Sequence, residues 1–236
     1  MGVFKTFINY ITGNHSPDGW TYGHPIGIVL HETANTDEGA SISQAAESEQ
    51  RYFAGGDRQA SAHVFIDTDS VEVLVPFTER AWHAGSTANR LYLGAELCRV
   101  WNVNDFNVIY SNAVDWFADT FVNILKITKV SKDNLPSHAE ISAKYKETDH
   151  TDPVEYFSKY GKTVDGFRAD VQSKINTLLT KPKNEFSYND TVDQLVRDGF
   201  ATTKDMVNWE KYFDQGGSMQ VWDVKRVIVG YQSKTK

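Results

Sequence analysis

Runs and spacings of apolar residues mark out most elements of this chain. Residues 26–30 (Ile-Gly-Ile-Val-Leu) form an unbroken apolar run, the pattern of a short strand buried on both faces. Over 38–53, Ile42, Ala45, Ala46, Tyr52 and Phe53 fall near helical spacing among polar neighbours, which predicts an amphipathic helix. Two runs, 62–66 and 71–76, flank Asp67-Thr68-Asp69-Ser70, where Asp and Ser favour a turn; together they predict a hairpin. Residues 92–98 (Tyr-Leu-Gly-Ala-Glu-Leu-Cys) read as a further strand. Between 107 and 127, Val108, Ile109, Ala113, Val114, Phe117, Phe121, Val122 and Leu125 share one broad stripe, predicting a long core-packed helix. Phe167, Val171, Ile175 and Leu178 repeat that pattern over 166–179. A few strands among long helices predict a layered α/β domain.

The periodicity lapses near 180–189, where Pro182 interrupts the chain, so a boundary is expected there. It separates a main domain, 1–180, from a small, mainly helical module, 181–236, with apolar patterns at Val192, Leu195 and Val196, at Met206 to Phe213, and at Val221, Val224, Val227 and Ile228. So small a unit has a thin core, and self-association or docking would help it persist.

A length of 236 residues suits that division, and 40% apolar with 23% charged residues excludes a disordered or low-complexity chain. The lone Cys98 has no partner for a disulfide within the chain. No apolar run approaches the ~18 residues of a membrane span. The first twenty residues lack the basic-then-apolar pattern of a secretory signal. The net charge of −7 is uneven: 181–236 carries +1 and the rest −8. An acidic main body argues against non-specific nucleic-acid binding and leaves neutral, cationic or sugar-like substrates open.

The chemistry concentrates in histidines. His31 closes the first apolar strand in Val29-Leu30-His31-Glu32-Thr33, and α/β sheets place ligands at the carboxyl ends of their strands. A hydrogen-bonded core histidine is the competing reading. His138 lies in Pro136-Ser137-His138-Ala139-Glu140, and Asp149-His150-Thr151-Asp152-Pro153 follows shortly after. Two separated histidines and one aspartate suit Zn²⁺ with one position left open for water; a metal-free surface turn is the alternative.

Six blocks, in order, extend this pattern: Val29-Leu30-His31-Glu32-Thr33-Ala34-Asn35, Ser61-Ala62-His63-Val64-Phe65-Ile66-Asp67, Ala81-Trp82-His83-Ala84-Gly85, Gly94-Ala95-Glu96-Leu97-Cys98, Ser137-His138-Ala139-Glu140-Ile141-Ser142 and Asp149-His150-Thr151-Asp152-Pro153. Over about residues 20–165 the chain resembles the zinc-dependent type-2 N-acetylmuramoyl-L-alanine amidases, relatives of the animal peptidoglycan-recognition proteins. The resemblance implies a central mixed β-sheet flanked by helices. It implies Zn²⁺ held by His31, His138 and Asp152, with Glu96 as acid/base and His150 donating to the developing oxyanion. His63, Trp82, His83 and Asn35 are candidate substrate contacts, although His63 and His83 fit structural roles equally. Bound zinc would lower the pKa of water from 15.7 in bulk toward ~7.

Residues 190–213 loosely resemble the helical modules that follow amidase domains in bacteriophage endolysins. That implies a cell-wall-binding module with Trp209, Tyr212, Trp222 and Tyr231 as sugar-facing aromatics, unless these form its core or a self-association face. The expectation is a phage-type endolysin that cleaves the bond between N-acetylmuramic acid and L-alanine. It would be made in the bacterial cytoplasm and act on the Gram-positive wall after release, with no nucleic-acid partner and no membrane insertion. A peptidoglycan-binding protein without catalysis is the rival.

Overall fold

The computed structural model describes residues 4–34 and 44–180. The chain divides into two units, Met1–Thr180 and Lys181–Lys236, and the described residues belong to the first. Asn35 and residues 181–236, with the expected helical module and its four candidate aromatics, lie outside the described residues.

Seven strands and six α-helices are described: β1 (Lys5–Ile8), β2 (His15–Ser16), β3 (Gly27–Glu32), α1 (Ala45–Ala54), β4 (Val64–Ile66), β5 (Ser70–Val73), β6 (Arg80–Ala81), α2 (Gly85–Asn89), β7 (Tyr92–Leu97), α3 (Val103–Asp119), α4 (His138–Tyr145), α5 (Val154–Lys159) and α6 (Val164–Thr180). The main sheet is mixed, in the order β1-β5-β4-β7-β3. The predicted hairpin β4–β5 is its antiparallel pair, while β1–β5, β4–β7 and β3–β7 run parallel. β2 and β6 form a separate two-stranded ribbon. This is the expected central mixed sheet flanked by helices.

Strand alternation sorts the two faces of the sheet. Ile28 and Leu30 of β3, and Leu93, Ala95 and Leu97 of β7, join the core built with Phe106, Ile109, Trp116 and Phe117 of α3 and Phe167, Val171 and Ile175 of α6. The intervening positions take the opposite face. Val29 and Tyr92 pack there against Ala84, Ala88 and Ile141, and Phe65 packs with Ala46 of α1 and Cys98. His31, Gly94 and Glu96 share this second face by parity.

Several boundaries differ from the periodic reading. α3 starts at Val103 because Asn102 caps it, its side chain accepting the Asp105 N–H at 2.9 Å. The helix does not run α-helical to 127: Thr120–Leu125 is a π-helical turn, ended by Lys126 in the left-handed region. Asp67 does more than favour a turn. Fully buried, it accepts from the Ser70 N–H at 2.7 Å and the Asp69 N–H at 3.1 Å, and its other oxygen accepts the Ala46 N–H at 3.0 Å, tying the hairpin to α1. β1, β2, β6, α2, α4 and α5 are too short for periodicity to announce.

The outer edge of β3 is not left open. The Ile28 and Leu30 N–H groups donate to Asn134 and Pro136 carbonyls at 2.9 Å, so segment 134–137 runs alongside the strand and delivers His138 beside His31. The approach is close enough that a Cβ on Gly27 would lie 2.1 Å from the Asn134 carbonyl oxygen.

Candidate functional site

The site is assembled where β3, β7, α4 and the 148–152 loop meet. The parallel register pairs His31 directly with Glu96, and the Glu96 Oε1 stands 4.0 Å from His31 Nδ1. His138 is the first residue of α4. That helix is set by a capping box in which Ser137 accepts the Glu140 N–H and the Glu140 carboxylate accepts the Ser137 N–H at 2.9 Å. Arg168 of α6 holds the same segment from behind, donating to the Leu135 carbonyl at 2.9 Å and pairing with Glu140 and Asp165. The Ala139 N–H donates to the Asp152 carbonyl at 3.2 Å and locks the loop to α4.

Asp152 then bridges the two histidines, with Oδ2 at 3.1 Å from His31 Nδ1 and Oδ1 at 3.0 Å from His138 Nδ1. His31, His138 and Asp152 each offer one ligand atom, all within 4.8 Å of one another. A tetrahedral ion with bonds of about 2.0–2.1 Å places neighbouring ligand atoms about 3.3 Å apart. The donor set therefore suits Zn²⁺ in its chemistry, and its atoms would close by at most about 1.5 Å to reach that spacing. His138 Nε2 sits 3.1 Å from the Thr148 hydroxyl, which contacts Ser142 Oγ at 2.7 Å. A ring hydrogen on Nε2 donated to Thr148 would free Nδ1 for an ion in place of its contact with Asp152.

Burial acts differently on the two carboxyl groups. It opposes the charged form of Asp152, but hydrogen bonds from His138 and His31 outweigh it and hold Asp152 well below the usual carboxylate range. Burial pushes Glu96 well above that range, and the nearby Asp152 and Glu32 add to the effect. Its Oε2 is buried without a hydrogen-bond partner. A buried carboxyl group whose hold on a proton is strengthened in this way, beside a cluster of metal-ligand type, is a candidate proton carrier.

The remaining candidates separate clearly. His150 is exposed, stacks on the His138 ring at 4.6 Å and keeps its Nδ1 3.8 Å from Asp152 Oδ1, so it stands over the cluster. Trp82 is half-buried and donates its indole N–H to Ser16 Oγ at 2.8 Å, joining β6 to β2. His63 does not line a groove. It is fully buried, its Nε2 donates to the Glu79 carbonyl at 3.1 Å, and its Nδ1 accepts the Gly94 N–H at 2.9 Å. Burial pushes its pKa down to about 4. His83 also has both ring nitrogens occupied, by the Tyr92 carbonyl at 3.1 Å and by His31 Nε2 at 3.0 Å.

Two features escaped the sequence reading. Thr148 has no local signal beyond its nearness to Asp149-His150. The Glu32–Arg99 pair, with Nε to Oε2 at 2.7 Å, walls a cleft of about 360 Å³ together with His150, Asp152 and Glu155. The capping box behind His138 was legible as Ser137-x-x-Glu140.

Fold and site together define an α/β protein with a His-His-Asp cluster beside a buried glutamate at the strand ends. Residues 21–155 match the N-acetylmuramoyl-L-alanine amidase family, more than half of the chain, and the chain belongs to that family. Among curated proteins it is 28% identical to Protein Ami of Listeria monocytogenes over 162 residues, covering 66% of this chain and 17% of that protein. It is also 28% identical to the N-acetylmuramoyl-L-alanine amidase BlyA of Bacillus subtilis over 167 residues, covering 63% of this chain and 41% of that one. The chain thus spans well under half the length of either relative. Among solved structures, Staphylococcus aureus hydrolase AmiA in complex with its ligand shares the fold, with a TM-score of 0.66 at 21% identity over 78% of this chain and 89% of that one. The catalytic domain of XlyA matches with a TM-score of 0.55 at 26% identity, covering 71% and 99%.

Proposed function

We propose that this chain hydrolyses the amide between N-acetylmuramic acid and L-alanine in peptidoglycan, as a zinc-dependent endolysin of phage type. The observation that carries the reading is the convergence of His31, His138 and Asp152 beside the buried Glu96, within the span that matches the amidase family. Zn²⁺ bound by these three residues would supply Lewis acidity toward water and toward the scissile carbonyl.

The chain's own residues then divide the work. Glu96 takes a proton from the attacking water as its oxygen bonds to the carbonyl carbon. As the C–N bond breaks, Glu96 passes that proton to the leaving alanine nitrogen, yielding a muramic carboxylate and a free amine. General acid–base help of this kind is typically worth about 10²–10⁴-fold. His150, exposed above the cluster, donates to the oxyanion that develops on the carbonyl, a contribution of about 3 kcal/mol for one such donor. Trp82 and Asn35 are assigned to the substrate groove, and residues 181–236 to wall binding and self-association. Among the described residues, no helix is long and apolar enough to cross a membrane.

The test is turbidity loss of Gram-positive cell walls with wild type and Glu96→Ala, each zinc-loaded and chelated. Clearing by zinc-loaded wild type alone, with new amino termini on L-alanine, supports the amidase. Wall binding by both proteins without clearing leaves a peptidoglycan-binding protein instead.

A further inference from the structure

We propose that His83 is a positioning residue for His31: one imidazole–imidazole hydrogen bond decides which His31 nitrogen is left to take a metal ion. The inference rests on the zinc reading of the His31–His138–Asp152 cluster and assigns His83 to that cluster rather than to the substrate.

The argument follows the protons. The Tyr92 carbonyl can only accept, so His83 Nε2, 3.1 Å away, carries the hydrogen. With its one ring hydrogen on Nε2, a neutral His83 carries a lone pair on Nδ1. That lone pair lies 3.0 Å from His31 Nε2, which must donate to it. The opposite tautomer of His31 would set two lone pairs face to face at the same distance. An ion bound at His31 Nδ1, which faces Asp152 Oδ2 at 3.1 Å, would replace the hydrogen shared by that pair and leave the one ring hydrogen on Nε2, where His83 accepts it. The two rings meet edge to face at 88°, with centroids 5.1 Å apart.

His83 is itself held from two sides. Asn89 Oδ1 accepts the N–H groups of His83 and Ala84 at 2.9 and 2.8 Å, which fixes the backbone. Gly94 supplies the space for the ring, since a Cβ there would lie 2.6 Å from His83 Cγ. With both ring nitrogens committed, no polar atom of His83 is left for a sugar or peptide.

The test compares full-length wild type with His83→Leu, His83→Asn and His83→Gln. Zinc affinity is measured by competition with a chromophoric chelator, kcat and KM are measured on cell walls, and ¹⁵N NMR assigns the proton on each imidazole. Asparagine places its side-chain oxygen near the position of Nδ1 and restores the acceptor for His31; glutamine reaches toward Tyr92 instead. The expected result is zinc affinity weakened about 10–100-fold in the leucine and glutamine variants, near-wild-type affinity in the asparagine variant, and a wild-type His31 protonated on Nε2. Unchanged zinc affinity in all variants, a rise in KM alone, or a His31 proton on Nδ1 in the zinc-loaded protein overturns the inference. If the leucine variant does not fold, the asparagine–glutamine contrast and the wild-type spectrum decide. A wild type that retains no zinc overturns the metal reading itself, an outcome distinct from equal affinities.

Discussion

Replacing Gly94 with alanine puts one methyl group where the His83 ring already lies. The added Cβ would stand 2.6 Å from Cγ, 2.8 Å from Nδ1 and 2.9 Å from Cδ2 of His83. Ordinary carbon contacts begin near 3.5 Å, so the ring must retreat by about 1 Å. Its 3.0 Å hydrogen bond to His31 cannot survive that shift, and the 3.1 Å bond to Tyr92 is strained with it. Overpacking of this kind costs about 1–3 kcal/mol and a lost buried hydrogen bond about 1 kcal/mol more. Against this, alanine in a strand gains about 0.4–1 kcal/mol from the unfolded chain. The net expectation is a loss of about 1–3 kcal/mol, which lowers Tm by about 2–12 °C in a domain of this size. Gly19→Ala is the control, because a Cβ at Gly19 meets nothing within 4 Å. Thermal melts of both variants in chelator measure the difference. A Gly94→Ala melt within 1 °C of the control would refute the claim that His83 occupies the place of a side chain.

Three further outcomes are expected. Glu96→Gln removes a buried carboxyl group with an unpartnered oxygen, so it loses wall clearing while its chelated form resists urea by about 1 kcal/mol more than wild type; a less stable variant contradicts the electrostatic account. His63 titrates near 6.5 when unfolded and near 4 when folded, so its contribution is complete above pH 6.5 and fades as the pH falls toward 4. The stability gap between wild type and His63→Asn, from urea titrations in chelator, should narrow by about 3 kcal/mol between pH 7 and pH 4, and a constant gap would argue against a neutral buried ring. Arg168→Met strips Glu140 and the Leu135 carbonyl of their buried partner, which should cost about 3 kcal/mol in urea and loosen zinc retention through His138; a loss under 0.5 kcal/mol would show that the segment holds without it.

Local pattern alone determined much of this molecule. A short, continuous apolar run is the pattern of a strand covered on both sides, and β3 is buried along its whole length. Helical stripes located α3 and α6, because a side chain every 3.6 residues must find one core. The six blocks, through their resemblance to a known family, singled out Glu96 and the His31–His138–Asp152 set. Only the tertiary structure decided how these residues meet. His31 and Glu96 are 65 positions apart and face one another because β3 and β7 pair in parallel register, a relation no local spacing encodes. His63 and His83 look equivalent along the chain, yet backbone groups seal one while the other reaches a candidate metal ligand. The π-helical turn after α3, the closed edge of β3 and the Thr148 support of His138 likewise arise from packing. Periodicity reports which way a side chain points; its partner is chosen by chain segments brought together over long separations, where register and close packing set distances to within an ångström.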